Sequence, residues 1–191
     1  MRFFIDTEFI EDGKTIDLIS IGIVADKETE PTLYLQNLEC DFSKASDWVR
    51  RNVLLQLPEF NIGNWRPLPD VKTNKSIWCT KVEIGTEVLN FINRNCPWLS
   101  VKGGGQEKPE FWGWYSDYDW VVLCQLYGTM MDLPRNWPQF CMDIKQLAVM
   151  KGNPNVKQAV PLPEGVHNAL EDAKWNKKVY EYLCQLSMNP S

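Results

Sequence analysis

Residues 1–9 read Met1-Arg2-Phe3-Phe4-Ile5-Asp6-Thr7-Glu8-Phe9, a short apolar run that ends on two carboxylates two positions apart. Residues i and i+2 of a strand point to the same face, so Asp6 and Glu8 leave the end of such a strand together. A second apolar run rich in isoleucine follows from Ile16 to Val24. Between them Glu11-Asp12-Gly13-Lys14 is a turn signal, so residues 2–6 and 16–24 are expected to pair as a β-hairpin. Thr32 to Leu38 adds a third strand after Pro31.

Farther along, the pattern changes from strand to helix. Ser46 to Leu57 has helical spacing, with Trp48, Val49, Val53, Leu54 and Leu57 sharing one face and Pro58 ending it. Residues 61–74 are rich in Pro and Asn and read as a loop. Thr80 to Asn95 is a second helix, with Val82, Ile84, Val88, Leu89 and Ile92 as its apolar positions. Lys102-Gly103-Gly104-Gly105-Gln106 is a flexible connection, and it lacks the Lys-Ser/Thr pair that would make it a phosphate loop. Glu110 to Tyr115 is an aromatic strand that runs into a helix over Asp119 to Tyr127. Asp143 to Met150 and Asn168 to Leu186 are further helices, and the proline-bearing 152–165 stretch between them is irregular. Strands first, then strand–helix units, predict an α/β fold with a mixed sheet flanked by helices. No repeat or linker divides the chain, so residues 1–191 form one domain with a core to about residue 186 and a short C-terminal tail.

Composition narrows the function classes. Of the 191 residues 44% are hydrophobic and 24% charged, which suits a folded chain and not a disordered one. The first apolar run breaks too early for a signal peptide, and no stretch is long enough to span a membrane, so the cytoplasm is expected. Six cysteines are scattered without a C-x-x-C pair and there is a single histidine, which argues for reduced thiols and against a zinc site. The net charge of −5 argues against stable binding of duplex DNA, a task for basic surfaces. An acidic chain can still process a single-stranded end when divalent cations face the phosphates and aromatic rings hold the bases.

Two further acidic positions join Asp6 and Glu8. Asp119 stands at a strand-to-helix junction, where α/β proteins build sites. Asp172 lies on the last helix, five residues after His167. Carboxylates gathered in one site repel unless cations neutralise them, and an all-oxygen set suits Mg²⁺ or Mn²⁺. A lone D-x-E pair is ordinarily a solvated turn, and a lone histidine near a helix start is ordinarily a cap. Only the ordered combination is specific.

That combination carries a resemblance. Asp6-Thr7-Glu8-Phe9 resembles the first motif (D-x-E) of the DEDD exonucleases, and Tyr118-Asp119 the aromatic-Asp ending of the second. His167-Asn168-Ala169-Leu170-Glu171-Asp172-Ala173 is similar to the third motif of the DEDDh branch, H-x-A-x-x-D-A. The sister branch would place a tyrosine where Asn168 stands. Met1 to Gly13, Leu18-Ile19-Ser20-Ile21-Gly22, Ser46 to Val53 and Leu123-Cys124-Gln125-Leu126 resemble in wording the bacterial polyadenylate-specific exoribonuclease AS family, and the likeness runs from Met1 to about Leu186. The resemblance implies an RNase H-like mixed β-sheet flanked by α-helices, a homodimer, dependence on two Mg²⁺ ions that Mn²⁺ can replace, and 3′→5′ degradation of single-stranded RNA ends to nucleoside 5′-monophosphates, favouring adenylate. Phe9-Ile10-Glu11 stands where many DEDDh enzymes have Thr-Gly, and Tyr115-Ser116-Asp117 where they often have His-Asn. These departures bear on substrate preference.

The roles implied are specific. Asp6, Glu8 and Asp172 would hold the ion that binds the attacking water, with Asp6 bridging to the second ion and Asp119 completing the ring through bound water. His167 would be general base, because an ordinary imidazole titrates at about 6.5. Gly165 after two prolines suggests a mobile loop that carries this base. Asp117 is a rival to Asp119 and is expected to cap the helix instead, as Asp143 caps the next one. Phe9 is the best base-stacking candidate, with Ser20 and Trp114 behind it, whereas Trp48, Trp120 and Trp175 fall at core spacing. A DNA 3′-exonuclease would use the same residues. An inactive binding module would be expected to have lost one of the five, and all are present.

Overall fold

The structure, a computed structural model, describes residues 1–68, 77–96 and 108–186; the glycine-rich 102–106 segment and the end of the 61–74 loop lie outside them. The expected hairpin forms and is longer than its apolar runs. β1 (Arg2–Glu11) and β2 (Ile16–Ala25) pair antiparallel from Phe3↔Ala25 to Glu11↔Ile16, and Gly13 supplies the left-handed turn residue at φ 78°. Register slips once, between Glu8↔Ser20 and Phe9↔Leu18, which leaves Ile19 of β2 as the extra residue of a bulge.

β3 (Thr32–Asn37) follows antiparallel to β2. Two-residue strands β4 (Phe60–Asn61) and β5 (Arg66–Pro67) make a small separate hairpin inside the stretch expected to be loop. β6 (Trp78–Cys79) adds parallel to β3, while β7 (Glu110–Gly113) and β8 (Met142–Asp143) add parallel beyond β1. The main sheet therefore runs β6-β3-β2-β1-β7-β8, with β1 near its centre.

The helices are α1 (Asp47–Asn52), α2 (Lys81–Asn95), α3 (Asp117–Gln125), α4 (Ile144–Met150), α5 (Val156–Ala159) and α6 (Ala169–Gln185). Alternation along β1 assigns them to faces. Phe3 and Ile5 pack with Ile84, Val88 and Ile92 of α2 and with Leu123 of α3. Phe4 packs with Ile144 of α4 and with Ala173 and Val179 of α6. Asp6 and Glu8 continue the even-numbered face, toward α6.

Local chemistry sets the helix starts. Thr80 and Glu83 form a capping box at α2, and Asn168 accepts from the backbone N–H groups of Leu170 and Glu171 at α6. The start of α6 rides directly on β2 at Gly22, where a Cβ would lie 2.2 Å from the carbonyl oxygen of Ala169. That glycine sets how closely the last helix approaches the sheet. Among the described residues no helix is long and apolar enough to cross a membrane.

Candidate active site

All five expected catalytic residues line one open cavity of about 620 Å³ on the α6 side of β1. Asp6 and Glu8 come from the last straight stretch of the strand before the bulge. Thr7 between them points to the opposite face, toward α3. There its backbone N–H and its Oγ1 both donate to Oδ1 of Asp119, at 2.7 and 2.6 Å. The middle residue of the D-x-E motif is thus what orients the third carboxylate, a role that reading the acidic residues alone did not suggest.

Asp119 is 6% exposed in the first turn of α3. The cap position of that helix is Ser116, not Asp117 as expected, and its side chain makes no capping bond. Its backbone N–H instead donates to Oδ2 of Asp143 at 2.9 Å, while Asp143 Oδ1 caps α4 through Gln146. Asp117 itself faces solvent as the first residue of the helix.

The fourth carboxylate holds the histidine. Asp172 sits in the first turns of α6, and its Oδ2 accepts the backbone N–H of His167 at 2.8 Å. His167 adopts the left-handed backbone at φ 69°, a conformation that costs a non-glycine residue on the order of 1–3 kcal/mol. Asn168 follows it as the helix cap. The five-residue spacing from histidine to aspartate is that of a loop turned back onto its own helix. The His167 ring meets the Trp48 ring edge to face, 4.8 Å between centroids and 78° between planes. Gln56 ties the same loop down by donating to the carbonyl of Val166 at 2.5 Å.

Ligand atoms of Glu8, His167 and Asp172 lie within 4.8 Å of one another, the one such group among the described residues, while Asp6 and Asp119 line the same cavity outside it. The carboxylates stand in an unfavourable field. Burial, then Asp119, Glu8 and Asp172, hold the carboxyl of Asp6 well above the usual carboxylate range. Burial, then Asp172 and Asp119, push Glu8 up to about 8. Asp119 rises to about 6 through burial, against the two Thr7 bonds that pull it down, and burial also raises Asp172. Crowded oxygen ligands, Asp119 buried and the others half-buried, with no lysine or arginine among the described residues lining their cavity, are what a divalent cation would relieve, so the residues fit the metal that the motif implies.

The aromatic expectations divide. Phe9 and Trp114 line the cavity, and Phe9 stacks on Tyr118 at 5.6 Å and 18° between planes. Ser20, expected behind them, does not line it: the residue is fully buried on β2 opposite Glu8. Trp120 and Trp175 are core, as expected, but Trp48 is 53% exposed on the cavity wall. The reason is local. α1 is only six residues long, and a 3₁₀ turn over Leu54–Gln56 re-phases the chain, so Val53 and Leu54 point inward while Trp48 does not. Tyr115, held left-handed at φ 56°, and Tyr118 complete the walls.

Comparison with known proteins adds three findings. The profile of the Rv2179c-like 3′-5′ exoribonuclease domain matches residues 1–184. Two 3′-5′ exoribonucleases of Mycobacterium tuberculosis, Rv2179c of strain H37Rv and MT2234.1 of strain CDC 1551, are each 37% identical over 174 residues, which cover 91% of this chain and 88% of theirs. A solved 3′-exonuclease that recognises the 3′ end of a histone mRNA stem-loop superposes with a TM-score of 0.60 over 98% of this chain and 82% of its own, at 12% identity. At that identity the superposition speaks to the fold alone.

Proposed function

Since the chain belongs to the Rv2179c-like 3′-5′ exoribonuclease domain family, we propose that it trims single-stranded RNA from the 3′ end by metal-assisted hydrolysis, releasing nucleoside 5′-monophosphates. The observation that carries the reading is the convergence of Glu8, His167 and Asp172 on one point of a cavity that Asp6 and Asp119 also line.

Asp6, Glu8, Asp119 and Asp172 would hold two Mg²⁺ or Mn²⁺ ions, which supply Lewis-acid polarisation of the phosphodiester and lower the pKa of bound water. The chain's own residues do the rest. Thr7 fixes the Asp119 carboxylate. The backbone bond to Asp172 and the edge of Trp48 orient His167, which takes the proton of the attacking water. Phe9 and Tyr118, with Trp48 and Tyr115 lining the same cavity, offer aromatic surface to the terminal base. Stacking of that kind contributes about 1–3 kcal/mol per base. A preference for adenylate and a homodimeric state belong to the same reading.

The test is incubation with 5′-labelled single-stranded RNA and DNA of matched sequence, one RNA carrying an oligoadenylate 3′ tail, with Mg²⁺, with EDTA and with Asp6→Ala. The expected result is a ladder shortening from the 3′ end of RNA, lost with EDTA and in the variant, and fastest through the adenylate tail. No cleavage of either polymer by a folded, metal-supplied protein would sink the reading. Sedimentation of the intact chain tests the dimer.

A further inference from the structure

A second cavity of about 300 Å³ opens on the far side of the His167 loop and meets the first at Asp6, His167, Asp172 and Trp114. Its remaining walls are Leu162 and Val166 from the irregular stretch before the histidine, Trp175 and Asn176 from α6, and Lys157 of α5. These surfaces differ in kind from the first cavity. They are apolar apart from the shared carboxylates and His167, one amide and one cation.

The positions are rigidly set. Trp175 donates its indole N–H to the carbonyl of Val160 at 3.0 Å and meets the Trp114 ring edge to face at 5.4 Å. Asn176 donates to the carbonyl of Ile5 at 2.9 Å, which fixes the strand one residue before Asp6. Lys157 is exposed, and among the described residues no carboxylate pairs with it. Among the described residues it is the one lysine or arginine side chain lining either cavity.

A strand cleaved at the carboxylate cluster must leave it on the 5′ side, with its next phosphate one nucleotide farther along. That phosphate needs a cation of its own, and its nucleoside needs an apolar surface. We propose that the second cavity seats the penultimate nucleotide of the RNA, with Lys157 facing its phosphate and Trp114, Leu162 and Val166 against its base and ribose. The proposal rests on the exoribonuclease reading above and adds to it a subsite for the strand that remains after each cleavage. It also explains why His167 sits between two cavities: each product strand must pass the base to present its new end.

The experiment compares KM for a single-stranded hexaribonucleotide with KM for a nucleoside 5′-(p-nitrophenyl phosphate), which has no penultimate nucleotide. In Lys157→Gln the gap between the two should narrow about tenfold, as expected for a lost hydrogen bond to a charged group. The slope of log KM against log salt for the hexamer should fall by about 0.7, the value for one phosphate contact on a single strand. Leu162→Glu, at an exposed position, should narrow the gap as well by setting a carboxylate against the same phosphate. A wild-type protein that trims RNA while Lys157→Gln keeps both gap and slope overturns the subsite alone. A wild-type protein that trims no RNA removes the proposed function and the subsite with it.

Discussion

Replacing Gly22 by alanine tests whether the site depends on the closeness of α6 to the sheet. The added Cβ would lie 2.2 Å from the Ala169 carbonyl oxygen, 2.3 Å from its carbon and 2.4 Å from the Leu170 nitrogen, all backbone atoms of the helix start. Carbon atoms do not approach such neighbours within 3.0 Å, so the helix start must move by roughly 0.8 Å or more. No side chain can rotate away, and overpacking of this sort costs about 1–3 kcal/mol. At roughly 2–4 °C per kcal/mol for a chain of this size, thermal unfolding should begin about 2–12 °C lower. The same shift displaces Asp172 and the His167 loop that it holds, and a misplacement near 1 Å costs up to about a hundredfold in rate. The assays are thermal unfolding by circular dichroism and steady-state RNA trimming of the same sample well below its melting point. A Gly22→Ala protein with wild-type melting and wild-type kcat would refute the claim that α6 is seated by this contact.

Removing the Thr7 hydroxyl with Thr7→Val leaves Asp119 one donor from that residue instead of two. A hydrogen bond to a charged group is worth about 1.5–3 kcal/mol, so kcat/KM should fall roughly ten- to hundredfold, with Thr7→Ser restoring it. Equal activity in Val and Ser variants would show that the hydroxyl does not position Asp119. Trp48→Ala removes the ring against His167 and should lower kcat by roughly two- to tenfold, from an edge-to-face contact worth about 0.5–1.5 kcal/mol, with Trp48→Phe largely rescuing it. Metal and pH are linked by sign. Glu8 and Asp119 bind protons more tightly folded than unfolded, so in EDTA their contribution to stability is full near pH 4 and is lost as pH rises through about 6 and about 8. Melting scans in EDTA should therefore fall between pH 5 and pH 8, and Mg²⁺ should raise the melting temperature more at pH 8. A rise in EDTA, or a larger Mg²⁺ effect at pH 5, contradicts the crowding of these carboxylates.

Much of this arrangement is legible in the chain because its decisive signals are local. The D-x-E pair at the end of an apolar run, Thr80 with Glu83, Asn168 before the last helix and Asp143 before α4 each state their role within four residues. What escaped is set by contacts between distant segments. Two-residue strands such as β6 and β8 carry no periodicity to read, and they exist only because β3 and β7 offer open edges. Val82 shares the helical spacing of α2 yet is 77% exposed, because the buried stripe runs through Ile84, Val88, Phe91 and Ile92. Ser20 reads as a polar residue near the motif. The bulge at Ile19 and the packing over β2 put it inside.

The charge of the chain then acquires a physical meaning. A protein of net charge −5 whose candidate site gathers four raised carboxylates offers a polyanion little attraction there on its own, and among the described residues Lys157 is the one lysine or arginine lining the two cavities. If cations complete the site, each must relieve carboxylate repulsion and at the same time create the attraction for phosphate. Metal and RNA would then bind with positive coupling, and linkage makes that coupling reciprocal. RNA should raise the apparent affinity for Mg²⁺ by the same factor by which Mg²⁺ raises the affinity for RNA. Calorimetric titration of each ligand in the absence and presence of the other measures both factors. With hydrolysis blocked by a phosphorothioate linkage at the 3′ end, independent binding, with both factors near one, would mean that the carboxylates are not the seat of the ions that meet the substrate.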